Sequence, residues 1–179
     1  PTRRSSDLFP VPDPKEFNDY ILVFPAGSGI KPIYVYLKED PRKLPGVVTG
    51  RGVLLSPGTR WLDMSVSNNG NGAPIPAHIA DKLRGREFKT FDEFREALWL
   101  EVSQDPELIA QFSSGNQTRI KQGLTAKAPI DGWYYGPKEI VKKFQIHHRV
   151  AVEYGGSVYD IDNLRIVTPR LHDEIHYRR

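Results

Sequence analysis

The chain has 179 residues, of which 39% are hydrophobic and 26% are charged, so it can form one well-packed domain with a smaller appended unit but not two large domains. It contains no cysteine, which excludes disulfides and thiolate zinc sites and leaves histidine and carboxylate side chains as metal ligands. The net charge of +3 suits a polyanionic partner without establishing one, and the apolar runs are too short to predict a transmembrane segment.

The N-terminal region is rich in proline and then becomes strand-like. Its first nineteen residues show little apolar periodicity, and we interpret them as a linker inside a longer parent protein. A β-hairpin is predicted next, because β-branched and aromatic residues fill Tyr20–Phe24 and Ile33–Leu37 on either side of a glycine-containing turn. Proline and glycine at residues 40–46 then predict the boundary to a second unit.

Helices are predicted to dominate the middle of the chain. Thr90 and Glu93 form a capping-box pattern that opens an amphipathic helix, and the apolar residues Phe91, Phe94, Leu98 and Val102 recur on its inner face. Trp99 is a further candidate for that core. The other predicted helices are Pro76–Arg84, which ends at Gly85, a helix that runs from Asp105-Pro106 through Phe112, and Asn116–Gln122, which Gly123 closes.

The C-terminal region predicts two strands followed by a helix. The strands are Lys143–Val150 and Leu164–Val167, with a turn at Gly155-Gly156 between them. The last helix begins at Thr168-Pro169, with threonine as the N-cap and proline in the first turn. Together these elements predict an α+β fold.

Four of the five histidines lie in this C-terminal region. His172 and His176 are four residues apart, so they share one face of a helix and can bind one ion. Because adjacent residues of a strand point to opposite faces, either His147 or His148 can supply a third ligand, but not both. The remaining imidazole is suited to act as a general base near neutral pH.

Three protein ligands leave one coordination position open, which is typical of a catalytic rather than a structural metal site. The amide of Asn163 can both donate and accept, so we expect it to hold the loop and to fix either the imidazole of His148 or the backbone beside it. A zinc-stabilised module that binds a partner protein is the alternative from a different functional class. His78 lies far from the other histidines in the sequence and is interpreted as a surface or helix-packing residue.

The segment from His147 to His176 resembles the HNH, or ββα-metal, motif of the DNase bacteriocins. Upstream segments such as Gly72–Pro76 and Ile79–Arg84 resemble the nuclease domain of the colicin DNases, and this resemblance extends from about residue 42 to the end. Residues 18–37 resemble the end of the domain that precedes the nuclease in S-type pyocins. The resemblance implies a linker and the end of that preceding domain in residues 1–41, with a short β-hairpin. It implies a mainly helical HNH endonuclease domain with a C-terminal ββα-metal motif in residues 42–179.

The same resemblance assigns roles to individual residues. It implies that His147, His172 and His176 bind the metal, that His148 is the general base, and that Asn163 orients the loop that carries the base.

Two further positions relate to the family pattern. Arg42 matches an arginine that contacts the scissile phosphate, although a solvated linker arginine explains it nearly as well. Gln145 stands two residues before the histidine pair, where the colicin DNases have a glutamate, so a carboxylate that would support the metal ligands is missing or replaced here.

The resemblance also implies a small acidic immunity protein that binds beside the active site, at Ser113–Lys138. Aromatic side chains among positive charges suit a tight, electrostatically steered partner, although a solvated basic loop that also touches DNA phosphates explains the lysines equally well. The candidate immunity-binding residues are Asn116, Arg119, Lys121, Lys127, Trp133, Tyr134 and Tyr135.

We therefore predict a metal-dependent endonuclease that cuts double-stranded DNA with little sequence preference, because no segment resembles a groove-reading module. It would be the cytotoxic domain of a secreted, S-type pyocin-like bacteriocin that acts in the cytoplasm of the target bacterium. The expected cofactor is one divalent ion, zinc or another transition metal at rest, with magnesium as a candidate in catalysis. An HNH nuclease of phage or restriction type is the alternative within the nucleases.

Overall fold

The structure is a computed structural model that describes residues 8–10, 17–22, 24, 27–31, 33–38, 40–66 and 71–177. Its contacts divide the chain into two compact units, Pro1–Leu44 and Pro45–Arg179. In this described part, every helix is too short or too polar to cross a membrane. The mixture of helices and strands confirms the α+β prediction.

The first unit contains a three-stranded antiparallel sheet in the order β1-β2-β3, built from Leu8–Pro10, Phe17–Leu22 and Ile33–Lys38. The predicted hairpin is thus part of a larger sheet, and the linker prediction was wrong over β1 and the start of β2. The proline of β1 is compatible with a strand because β1 lies at the edge of the sheet. Residues 1–7 and 11–16 of the predicted linker, and residues 25–26 of the predicted turn, lie outside the described residues.

In its described residues, 45–66 and 71–177, the second unit combines helices with three small antiparallel sheets, which have the strand orders β5-β10-β9, β4-β6 and β7-β8. Its helices are α1 (Ala77–Leu83), α2 (Phe91–Gln104), α3 (Pro106–Ile109), α4 (Ser114–Ile120) and α5 (Pro169–Tyr177). Its strands are β4 (Gly46–Val47), β5 (Ala73–Pro74), β6 (Glu87–Phe88), β7 (Tyr134–Tyr135), β8 (Ile140–Val141), β9 (Gln145–His148) and β10 (Leu164–Val167).

Helix α2 forms the centre of the core, as its periodicity predicted. Thr90 Oγ1 accepts a hydrogen bond from the Glu93 N–H at 3.3 Å, and Glu93 Oε2 accepts one from the Lys89 N–H at 2.9 Å, so the cap is reciprocal but reaches one residue further back than in the usual capping box. The predicted inner face is buried, and Trp99 joins it. Each of these large apolar side chains stabilises the fold by roughly 1.5–3 kcal/mol through burial.

Several predicted bounds in the second unit were wrong. Helix α3 ends at Ile109, because the chain continues in a turn, and α4 begins at Ser114, because Ser113 is its N-cap and Ser113 Oγ accepts a hydrogen bond from the Asn116 N–H at 3.4 Å. Strand β9 is shorter than Lys143–Val150, because the backbone of Phe144 bonds Ala126 instead of the sheet. The predictions of β10 and α5 are confirmed at the residues expected.

The sheet β5-β10-β9 connects directly to α5. Strand β10 lies in its centre, with Leu164 opposite His148 and Arg165 opposite His147 on β9. Thr168 then ends the strand and begins the helix, since its N–H donates to the Ser65 carbonyl at 3.0 Å and its Oγ1 accepts from the Leu171 N–H at 3.2 Å. This buried connection fixes α5 relative to the sheet.

Candidate metal centre

Three histidines converge where α5 packs on β9. The ligand atoms of His147, His172 and His176 all lie within 4.8 Å of one another. The ring centroids of His172 and His176 are 4.5 Å apart, and that of His147 lies 5.6 Å and 5.2 Å from them. The structure therefore brings together the three predicted metal ligands.

Strand and helix geometry explain this convergence. Opposite residues of an antiparallel pair share a face, so His147 shares its face with Arg165, whereas His148 shares the other face with Leu164. One turn of α5 then aligns His172 and His176 toward His147. Between the two alternatives that the strand left open, the geometry thus selects His147 as the partner of the helix pair.

The protonation state of His172 favours metal binding. Burial, with a further contribution from the charge of His176, lowers the pKa of His172 to about 4 against the opposing effect of Asp173. His147 is buried as well. A neutral imidazole keeps the lone pair that a metal needs, and three imidazoles without a carboxylate form a donor set suited to zinc, copper, nickel or iron. The residues present therefore fit a divalent transition metal.

The side chain of His148 lies in a different environment. Its ring centroid is 5.1 Å from that of Phe91, and its Nε2 lies 3.1 Å from the carbonyl oxygen of Val158. A carbonyl can only accept a hydrogen bond, so Nε2 carries the proton, and the lone pair of the neutral ring resides on Nδ1. This is the tautomer that a general base acting through Nδ1 requires.

Asn163 holds the loop that follows His148. Its Oδ1 accepts a hydrogen bond from the Val150 N–H at 2.8 Å, and its Nδ2 donates to the carbonyl oxygens of Val150 at 3.1 Å and Ser157 at 3.0 Å. The Arg149 N–H also donates to the Asn163 carbonyl at 2.8 Å. Asn163 thus binds the backbone beside His148, which is one of the two alternatives that the sequence left open for Asn163.

Asp162, the neighbour of Asn163, makes a contact that the sequence analysis missed. Its carboxylate accepts hydrogen bonds from the backbone N–H groups of Arg51 at 3.0 Å and Gly52 at 2.9 Å. Gly50 lies against the same turn with φ of 90°, and a Cβ there would approach the backbone nitrogen of Asp162 to 2.8 Å. By sequence, the Gly50-Arg51-Gly52 segment is only a break in the apolar pattern. In the structure it packs against the turn that carries Asn163 and donates two hydrogen bonds to it.

Three other predicted positions lie outside the histidine cluster. Arg42 belongs to the first unit, where its Nη2 pairs with Asp40 Oδ2 at 2.9 Å and lowers the pKa of that carboxyl group. Gln145 is half-buried on β9, opposite Val167. His78 is a surface residue that contacts Asp105 at 2.8 Å, as expected.

The candidate immunity-binding residues differ in the hydrogen bonds and the exposure of their side chains. The side chain of Asn116 exchanges two hydrogen bonds with the backbone of Lys127, Arg119 donates to the Thr125 carbonyl, and Trp133 donates to the Ala128 carbonyl. Lys121, Lys127 and Tyr135 are exposed, whereas Tyr134 is half-buried.

Apolar side chains that the sequence analysis did not single out lie exposed on the same stretch or just beyond it. They are Leu124, Ile130 and Ile140, which are 46%, 69% and 46% exposed, while Tyr135, one of the candidate residues, is 62% exposed. Alternation and helical periodicity give no signal for them, because Leu124 lies in an irregular segment, Ile130 begins a 3₁₀ helix of three residues, and the other two lie in two-residue strands.

Comparisons with known protein families identify both parts of the chain. Residues 46–178 match the model of the colicin/pyocin-S2 DNase domain, and residues 1–36 match the model of the S-type pyocins. Pyocin-S1 of Pseudomonas aeruginosa is 47% identical over 161 residues, which cover 88% of this chain but 24% of that protein. Colicin-E8 of Escherichia coli is 47% identical over 132 residues, which cover 74% of this chain and 60% of that protein. The chain thus spans less than two thirds of the length of these relatives.

Solved structures show the same similarity. The pyocin AP41 DNase–immunity complex contains a chain that is 44% identical, with a TM-score of 0.67 over 75% of this chain and 99% of that one. The mutant nuclease domain of pyocin S8, solved with its cognate immunity protein, is 42% identical, with a TM-score of 0.66 over 73% of this chain and 98% of that one.

Proposed function

The chain belongs to the colicin and pyocin DNase family, whose domain it contains in residues 46–178. We therefore propose that it is a metal-dependent endonuclease that cuts double-stranded DNA with little sequence preference. The observation that carries the proposal is the convergence of three histidine ligand atoms within 4.8 Å, with a fourth histidine on the adjacent residue. Such a site leaves a coordination position open to substrate. We propose that the nuclease domain begins near residue 42.

In this proposal, His147, His172 and His176 hold the metal, which at rest is zinc or another transition ion, because imidazoles bind magnesium poorly. When bound, a divalent ion supplies electrostatic stabilisation of the charge that develops on the phosphodiester and the leaving oxygen. His148 accepts the proton of the attacking water at Nδ1, and the Val158 carbonyl keeps its other nitrogen protonated.

Two further residues support this reaction. Asn163 holds the loop of residues 150–157, so that the Val158 carbonyl and the ring of His148 stay in register. Arg42 contacts the scissile phosphate when DNA is bound, a role that requires it to exchange its ion pair with Asp40 for one with the phosphate.

We propose that the parent protein is a secreted bacteriocin whose nuclease acts in the cytoplasm of the target cell and is blocked by a small acidic immunity protein. Two similar structures were solved with immunity proteins, which supports this partner. The exposed basic residues Lys121 and Lys127 lie on the same stretch as the exposed apolar residues Ile130 and Tyr135. Apolar anchors with a basic rim suit a tight interface with an acidic protein.

A plasmid-nicking assay tests the enzymatic proposal. The full 179-residue chain is incubated with supercoiled plasmid and zinc, nickel, cobalt, manganese or magnesium, with EDTA as the control. We expect nicking that EDTA abolishes and that an acidic immunity protein, when added, blocks. A folded, zinc-bound chain that nicks with none of these metals would overturn the proposal and support a protein-binding module instead.

A further inference from the structure

We propose that Arg149 and Arg165, here called the arginine pair, form a phosphate-binding site for the DNA backbone beside the histidine cluster. This inference rests on the proposed nuclease function and assigns that site additional substrate contacts, separate from the metal ligands, the base and Arg42. It follows from strand register, from hydrogen bonding and from the charges around the pair.

Register places the arginine pair on the face of the sheet that carries His147. Arg165 is the direct partner of His147 across β9 and β10, and such partners share a face. The Arg149 N–H continues this ladder by donating to the Asn163 carbonyl at 2.8 Å. Because side chains alternate, Arg149 returns to the face of His147 and stands diagonal to Arg165, a separation that long side chains span.

The guanidinium of Arg165 is held by two backbone carbonyls, and its remaining N–H donors can bind a ligand. Its Nη1 donates to the carbonyl oxygen of Asp162 at 3.1 Å and to that of Leu164 at 2.6 Å. A guanidinium has five N–H donors, and among the described residues the others have no hydrogen-bond partner. The anchored side chain is therefore ordered while it retains the planar edge that binds a phosphate with two hydrogen bonds.

Among the residues that the structure describes, the arginine pair has little charge compensation from acidic side chains. Neither arginine forms an ion pair with any carboxylate in the described part of the chain. Burial, followed by the charge of Arg149, lowers the pKa of Arg165, so the two cations act on one another. The charge of Asp162 acts in the opposite direction and raises the pKa of Arg165, but the Asp162 carboxylate accepts its hydrogen bonds from the N–H groups of Arg51 and Gly52 rather than from either arginine. Two cations held close together are stabilised when an anion binds between them.

The position of the pair favours a DNA phosphate over an acidic group of the immunity protein. Arg149 follows the proposed base His148 directly, and Arg165 lies opposite the proposed ligand His147. The stretch proposed to bind the immunity protein, Ser113–Lys138, comprises other residues. A phosphodiester bound at the histidine cluster would lie on the face that carries His147 and Arg165, so we infer that the phosphate next to the scissile one occupies the site.

The test measures how DNA binding depends on salt. Binding of the full chain and of its Arg149→Gln, Arg165→Gln and Arg165→Lys variants to a duplex of about 20 base pairs is followed in EDTA, where the proposed cleavage cannot proceed. Loss of one phosphate contact lowers the slope of log K against log salt by about 0.9. We expect that decrease and an affinity about tenfold weaker for each glutamine variant, with the slope retained in Arg165→Lys. Arg60→Gln removes an exposed charge elsewhere and is the matched control.

Two further measurements distinguish a lost phosphate contact from a weakened metal site and from a lost contact with the immunity protein. Zinc affinity by calorimetry should be unchanged in Arg149→Gln, whose side chain is exposed, so that a weakened metal site cannot account for the result. Salt slopes of both glutamine variants equal to the wild-type slope would overturn the inference, even if the wild type nicks plasmid normally. Lost affinity for an acidic immunity protein with an unchanged DNA slope would also overturn it and assign the pair to that partner. A wild type that never nicks would overturn the nuclease proposal instead.

Discussion

The Nε2 atom of His148 lies 3.1 Å from the carbonyl oxygen of Val158, and this contact fixes which nitrogen of the ring is basic. We predict that His148→Ala lowers the nicking rate by about a hundred- to ten-thousandfold, the usual contribution of a general base, while zinc and DNA binding are retained. Nicking rates, calorimetry and duplex binding test this. His78→Ala removes an exposed histidine from α1 and should nick at the wild-type rate. Wild-type nicking by His148→Ala would contradict the assignment of the base.

A second prediction concerns the metal ligands. His172→Ala removes one of three converging imidazoles, so we expect zinc affinity to fall by more than the roughly 10–100-fold that loss of an outer hydrogen-bond partner costs. Calorimetric titration of the metal-free chain measures this directly. We expect the weaker zinc binding of His172→Ala to be accompanied by loss of nicking. Unchanged zinc affinity would exclude His172 as a ligand. His148→Ala serves as the control because that ring lies on the other face of the sheet.

The sequence predicted the elements that depend on neighbours a few residues away. Thr90 and Thr168 mark the starts of α2 and α5, and the helical repeat aligns His172 with His176. These signals are local, because capping bonds and helical faces join residues three or four apart. Once the two strands were recognised, these signals predicted that either His147 or His148 joins His172 and His176, and the family resemblance specified His147.

The sequence could not predict features made by contacts between distant residues. The carboxylate of Asp162 binds a backbone N–H that is 111 residues away, and β5 has only two residues, which pair with β10. Neither feature leaves a periodic pattern. The arginine pair depends on the register of β9 against β10, which the sequence leaves undefined until the strands are paired.

A third prediction tests the two hydrogen bonds that Asp162 accepts from the backbone of Arg51 and Gly52. Asp162→Ala removes two hydrogen bonds to a charged acceptor, so we expect the free energy of unfolding to fall by about 1–2 kcal/mol. Because the same turn carries Asn163, kcat for nicking should also fall while KM changes little. Urea unfolding and nicking kinetics measure the two effects. Asp63→Ala, which removes an exposed partner of Arg60, is the control for loss of an acidic group. Unchanged kcat in Asp162→Ala would show that these two hydrogen bonds have a purely structural role.

The last prediction follows from the pKa of His172, which burial and the charge of His176 lower to about 4 from an ordinary value near 6.5. Between these two values the unfolded chain binds this proton and the folded chain does not, so stability falls as the pH is lowered from 6.5 toward 4. For the metal-free chain we expect a loss of at most about 3 kcal/mol, reduced by the partial exposure of the ring.

Urea unfolding of the EDTA-treated chain at about pH 7 and about pH 4.5 measures this loss, and the His172→Gln variant, which cannot titrate there, is the matched control. We expect the variant to lose clearly less stability than the wild type over that interval. Zinc should steepen the pH dependence of the wild type, because the ion binds the neutral ligands of the folded state and is displaced by protons. An equal loss of stability in His172→Gln and wild type would show that other groups govern the acid sensitivity of this fold.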